Sequence, residues 1–168
     1  ANDDFCLARY QPSGALDPSF NTTGKVITAI GPSTDSATAI SLQPDGKIVV
    51  AGSCYNGSNN DFCLARYLAS GALDTSFNTT GKVITAIGAS NDYANALALQ
   101  PDGKIVVAGY CSNGTDDFCL ARYQGGPFDA RNCSMDIDGD NQVLATTDSL
   151  IHAWIALGLT GNAVIGGI

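Results

Sequence analysis

Apolar and polar positions alternate with a period of two through most of the first 124 residues, the signature of half-buried strands. The run DFCLARY (residues 4–10, 61–67 and 117–123) puts Phe, Leu and Arg on one face and Cys, Ala and Tyr on the other. GKVITAI (24–30, 81–87) is rich in β-branched residues, which favour strands. ATAISLQ and ANALALQ (37–43, 94–100) alternate cleanly, and KIVVAG (47–52, 104–109) is a continuous apolar run, as expected of a buried strand. Pro44-Asp45-Gly46 and Pro101-Asp102-Gly103 predict tight hairpin turns: Pro pre-sets φ, Asp bonds its own backbone, and Gly accepts positive φ. Asn56-Gly57 and Asn113-Gly114 predict further hairpins, from KIVVAG into the following DFCLARY. Between the strands, SGALDPSFNTTG and SGALDTSFNTTG read as loops.

These elements recur as a block. Residues 2–58 and 59–115 form two 57-residue repeats that differ at 13 positions, and residues 116–124 begin a third. Such a unit cannot bury its hydrophobic face alone and needs neighbours. Four antiparallel strands per repeat is the pattern of a propeller blade. The expected fold is therefore all-β, with tandem four-stranded blade-like repeats not closed within one chain, followed by a linker (125–134) and a small C-terminal unit (135–168).

The run DFCLARY…SGALDTSFNTTGKV…ANALALQPDGKIVVAG resembles the delta-60 repeat family of bacterial surface and secreted proteins. The resemblance covers residues 2–124. It implies β-propeller blades and names no catalytic residues.

Nine predicted strands make two sets of four and one over. Two blades do not close a propeller, which typically has four to eight. Four solutions stay open. The chain is a fragment; several chains share one ring; the ninth strand pairs with another molecule by strand addition; or it completes the second blade. A head-to-tail contact that does not close gives a filament.

Six cysteines follow the repeat: Cys6, Cys63 and Cys119 in DFCLARY, Cys54 and Cys111 in AGxC, and Cys133 alone. No zinc spacing is present, so the alternatives are disulfides in an oxidising compartment or buried thiols packed as small hydrophobes. The hairpin geometry places Cys54 opposite Cys63 and Cys111 opposite Cys119. The second loop is one residue shorter, which predicts that the two pairs differ in register. Cys6 and Cys133 are left over, to pair within or between chains. Arg9, Arg66 and Arg122 recur with the blades, and the first two are expected to pair with Asp17 and Asp74.

Charge narrows the partners. A net charge of −8 offers no footprint for nucleic acid or an anionic membrane, and no run is long and apolar enough to span a bilayer. No signal peptide is legible, so Ala1 reads as a processed end or an arbitrary boundary. Asp136, Asp138 and Asp140 have the alternate spacing that opens a calcium loop, with the Gln142 carbonyl as the next ligand and Asp148 as the nearest later acid. A helix is expected over about 146–157. This segment resembles the calcium loop and helix of dockerin-like and EF-hand modules. It departs from them at Asn141, Leu144 and Thr147, which stand at the sixth, ninth and twelfth positions, and it has one loop where dockerins carry two. The alternative is a solvated acidic turn.

Five sequons occur, at Asn21, Asn56, Asn78, Asn113 and Asn132, all in predicted loops where glycans can sit. His152 reads as a helix-surface residue, and no catalytic constellation emerges around it. The expectation is a secreted or cell-surface, non-enzymatic structural protein whose disulfide-stapled repeats self-associate with copies of the chain by strand pairing, as an extracellular filament. The alternative is a calcium-stabilised module that recognises glycan or protein and is part of a larger propeller.

Overall fold

The structure, a computed structural model, describes residues 2–125. The linker beyond Gly125, Cys133, Asn132, the calcium loop and the expected helix lie outside the described residues.

Nine strands follow in order: β1 (Phe5–Ala8), β2 (Lys25–Thr28), β3 (Asp35–Leu42), β4 (Ile48–Tyr55), β5 (Asn60–Tyr67), β6 (Lys82–Thr85), β7 (Asp92–Leu99), β8 (Ile105–Ser112) and β9 (Asp116–Tyr123). They form three antiparallel sheets, β1-β2, β3-β4-β5-β6 and β7-β8-β9. The all-β reading holds, and the sheets are not closed into a ring among the described residues.

The sheets do not coincide with the sequence repeats. The complete sheet takes its first two strands from residues 2–58 and its last two from residues 59–115. The turn chemistry explains the offset. Pro44-Asp45-Gly46 and the loop from Asn56 to Asn59 are tight enough to join neighbours within a sheet, with bonds from Gly46 N to Gln43 O (2.9 Å) and Asn56 N to Asn59 O (2.9 Å). The segment between β2 and β3 instead crosses to the next sheet. There Asp35, almost fully buried, accepts from the backbone N–H groups of Ile30 (2.6 Å) and Gly31 (3.1 Å). Asp92 repeats this pin with Ile87 and Gly88.

The ninth strand joins β8 but leaves its sheet at three strands. Among the described residues and relative to the complete sheet, the first sheet lacks its two inner strands and the last lacks its outer one. The expected difference in hairpin register is absent. Gly52 faces Cys63 and Gly109 faces Cys119, and Cys54 and Cys111 face Asp61 and Asp117 alike. The missing residue is taken up in the loop, where Asn113 N bonds Thr115 O instead of spanning one residue more. Backbone ladders on both sides fix the strands, so the loop is the cheapest place to absorb a deletion.

Two hydrophobic layers hold the stack, one at each junction between sheets. The first joins Phe5, Leu7, Phe20 and Val26 to Ile48, Val50, Ala65 and Tyr67. The second joins Val49, Ala51, Phe62, Leu64 and Phe77 to Ala94, Ile105 and Val107. The residues are repeat equivalents, so each sheet has one face of Phe, Leu and Val and an opposite face of Ile, Val, Ala and Tyr. Close approach is needed at the inner strands: β3 bulges between Ala37 and Ala39, and a Cβ at Gly52 would strike the Ser36 carbonyl. At that bulge Thr38 donates to the Ala94 carbonyl of β7 at 2.6 Å.

Candidate functional site

Among the described residues, the two faces that make the internal junctions are left open at the ends of the stack, and the repeat allows a residue-by-residue comparison. Phe62 and Leu64 are fully buried against the last sheet, whereas their equivalents Phe118 and Leu120 are 76 % and 57 % exposed. Tyr67 is fully buried; Tyr10 is 62 % exposed. Leu97 and Leu99 pack on the second layer, but their equivalents Ile40 and Leu42 are 63 % and 68 % exposed. Monomers rarely expose apolar residues grouped in this way without an interaction to serve.

Ile40 and Leu42 belong to a groove. It has a volume of about 470 Å³ and is lined by Leu7, Ala8, Phe20, Ile40, Leu42 and Val50, with Cys6 and Arg9 at its margin. It lies along β1, whose ladder partner is β2 alone, where the two inner strands of a complete sheet would run.

The ends of the sheets are tied by a recurring arginine node. Arg9 Nε donates to Asp17 Oδ2 (2.8 Å) and its Nη1 reaches the Ala69 carbonyl of the next repeat (2.6 Å). Arg66 donates to Asp74 Oδ2 (2.8 Å), to Ser76 Oγ, and to the carbonyl of Gly125. Each guanidinium also lies 4.7 Å from a ring, Phe20 or Phe77, a cation–π arrangement. The expected pairs with Asp17 and Asp74 are formed. Arg122 has no ion pair among the described residues.

Burial alone would raise the Asp74 pKa. The hydroxyl and amide of Ser76, with the charges of Arg66 and Lys47, outweigh it and hold the carboxyl below its usual value. Asp61 is the opposite case. Burial raises its pKa, the bond from Asn56 only partly offsets this, and the negative charge of Asp92 adds to it.

The two cysteine pairs form as expected, Cys54–Cys63 and Cys111–Cys119, with Cα–Cα distances of 5.8 and 6.0 Å. Cys6 is exposed and in no disulfide among the described residues. The sequon residues Asn21, Asn56, Asn78 and Asn113 are all exposed in loops, and each serves its own turn or a neighbouring one. Asn21 and Asn78 donate to the carbonyls of Lys25 and Lys82 at 2.8 Å from a left-handed backbone. Asn56 donates to Asp61, and Asn113 accepts from the Ala89 N–H. The carboxylates Asp136, Asp138, Asp140 and Asp148, with Gln142, lie outside the described residues, which themselves hold no metal-binding cluster. No helix of the described residues is long and apolar enough to cross a membrane.

One junction element is not evident from strand pattern. The Tyr67 hydroxyl donates to Thr28 Oγ1 (2.9 Å) across the first junction, and burial raises the Tyr67 pKa despite that bond. The signal for it in the sequence is the fixed Tyr and Thr positions in each repeat. At the second junction the Tyr123 hydroxyl is buried beside Thr85 but lacks a partner of good geometry among the described residues.

Among curated proteins, none matches this sequence. Residues 1–20, 43–77 and 100–125 match the model of a family described as a domain of unknown function (DUF5122) beta-propeller. The matched segments come back in step with the repeat: the second and third span the paired strands that carry the disulfides, β4-β5 and β8-β9, and the first spans β1. Sheet order, register and this match agree that residues 2–125 are built from β-propeller-type repeats.

Proposed function

We propose that this is a secreted, non-enzymatic structural protein of delta-60-type blades that associates head to tail with copies of itself into an extracellular filament. One observation carries the reading: side chains fully covered at the internal junctions recur uncovered at the ends, and the two ends are unlike and complementary. A contact between unlike surfaces is heterologous, so it closes as a ring or continues as a fibre. Two disulfides fit an oxidising compartment, and exposed sequons fit a surface that carries glycans.

The test is the concentration dependence of mass by light scattering, with electron microscopy of the unreduced protein. Ile40→Asp changes a side chain that is exposed in the single chain, so folding is preserved while a charge enters the groove. The wild type is expected to form rings or fibres and the variant to stay monomeric with the same melting curve. A wild type monomeric at all accessible concentrations refutes the reading.

A further inference from the structure

We propose that β9 is a placeholder, exchanged during assembly for the β1-β2 hairpin of a second copy, so that Cys111 trades Cys119 for the incoming Cys6. The proposal rests on the self-association reading and specifies its contact.

Strand arithmetic leads to it. Among the described residues, the last sheet has two inner strands, β7 and β8, capped by β9, and no outer strand. The first sheet has, among the described residues, the third and outer positions, β1 and β2, and no inner strands. Placing β1-β2 of a second copy against β8 gives β7-β8-β1-β2, the same order as β3-β4-β5-β6. The described strands of each copy then make two complete four-stranded sheets, and β9 is the one described strand left over.

The side chains fit the exchange. On β8, Val106 and Ala108 are half-buried, while their equivalents Val49 and Ala51 are fully buried under the following sheet. The 470 Å³ groove along β1 exposes Ile40 and Leu42, equivalents of the Leu97 and Leu99 that pack in the layer where Val49 and Ala51 are buried. Seating β7 and β8 of one copy in that groove buries both sets. It also puts β8 against the open edge of β1, in the position β9 holds, so groove filling and a retained β9 exclude each other. On leaving, β9 gives up its ladder on β8 and the packing of Ala121 and Tyr123 on the second layer, which the repeat equivalents Ala8 and Tyr10 of the incoming copy replace; its Phe118 and Leu120 face solvent, and its outer edge has no described partner strand.

Register supplies the covalent step. Cys63 and Cys119 both face a glycine, Gly52 or Gly109, and both bond the cysteine two residues beyond it. Cys6 holds the same place in its strand. Once β1 is docked, the deprotonated Cys6 thiolate attacks Cys111 Sγ. The Cys6–Cys111 bond forms as the Cys111–Cys119 bond breaks, and Cys119 leaves as a thiolate that takes up the proton Cys6 lost. One thiol and one disulfide enter and one of each leaves, so no oxidant is needed. Continued from copy to copy the exchange adds two sheets each time. Two to four copies would complete a ring of ordinary size, and an open rotation gives a fibre.

The experiment uses the full chain. ¹⁴N- and ¹⁵N-labelled protein are mixed before assembly, alkylated without reduction, digested and mapped by mass spectrometry. The expected result is mixed-isotope Cys6–Cys111 peptides in the assembled fraction, with Cys119 newly alkylated or newly linked and its Cys111 bond lost. Phe118→Asp separates the mechanism from simple face contact, and assembly is expected to persist in this variant. Assemblies with Cys111–Cys119 intact, Cys6 linked instead to Cys133, or assembly abolished by Phe118→Asp overturn the exchange while leaving self-association standing. A protein that stays monomeric overturns both.

Discussion

Replacing Asp74 by Asn removes the charge opposite Arg66 without changing shape. The Arg66 and Asp74 side chains are 1 % and 6 % exposed, so the guanidinium cannot turn to water. It keeps the Gly125 carbonyl, Ser76 and the Phe77 ring, none of which carries a charge. Leaving a buried ion uncompensated costs about 3–5 kcal/mol. For a unit of this size that is roughly 10–25 °C in Tm, at ~3–5 °C per kcal/mol. The repeat provides its own control. Arg9 and Asp17 make the same 2.8 Å contact at 34 % and 20 % exposure, where solvent screens the pair, so Asp17→Asn should lose far less. Urea denaturation of both variants at pH 7, followed by circular dichroism, compares the midpoints at equal slope. Equal losses would refute the claim that burial sets the value of the node. A double Arg66→Met/Asp74→Leu variant should recover most of the Asp74→Asn loss, since replacing both partners removes the unpaired charge.

Asp61→Asn should act in the opposite direction, and with pH. The folded-state pKa of Asp61 is raised, so the wild type carries no penalty below the ordinary carboxylate value of about 3.9. It acquires one as pH rises through that value, and the penalty levels off above the folded-state pKa. The variant should therefore gain on the wild type between pH 3 and pH 7, read as the difference in urea midpoints. A constant difference, or a variant less stable at pH 7, would contradict the assignment. For residues 136–148, calorimetric titration of the full chain with calcium should show binding that Asp136→Ala and Asp138→Ala abolish; no heat from the wild type would leave these carboxylates as a solvated turn.

Strands, turns and disulfide pairing were legible in the sequence because each depends on near neighbours. Alternation in DFCLARY put Phe62 and Leu64 on one face and Cys63, Ala65 and Tyr67 on the other, and the two layers divide there. The Asn-Gly turn brought Cys54 to Cys63 through the hairpin alone. The Arg–Asp pairs followed from the recurrence of the arginine in each blade beside a loop with an acid, Asp17 or Asp74. The expected register difference failed because a loop, free of ladder bonds, absorbed the deleted residue.

The repeat by itself determined that residues 2–124 build recurring antiparallel strands with recurring turns, and it left open which strands share a sheet. Only the tertiary structure decided where one sheet ends and the next begins. That boundary rests on contacts far apart in sequence: the Asp35 and Asp92 pins, the Tyr67–Thr28 bond, and the sheet-on-sheet layers. A periodic sequence reads the same from any starting strand, so its phase is invisible until packing chooses which neighbours share backbone hydrogen bonds and which meet through side chains. The same choice separates Leu64 from Leu120 and Tyr67 from Tyr10. Identical residues are core or surface according to whether another sheet lies beyond them.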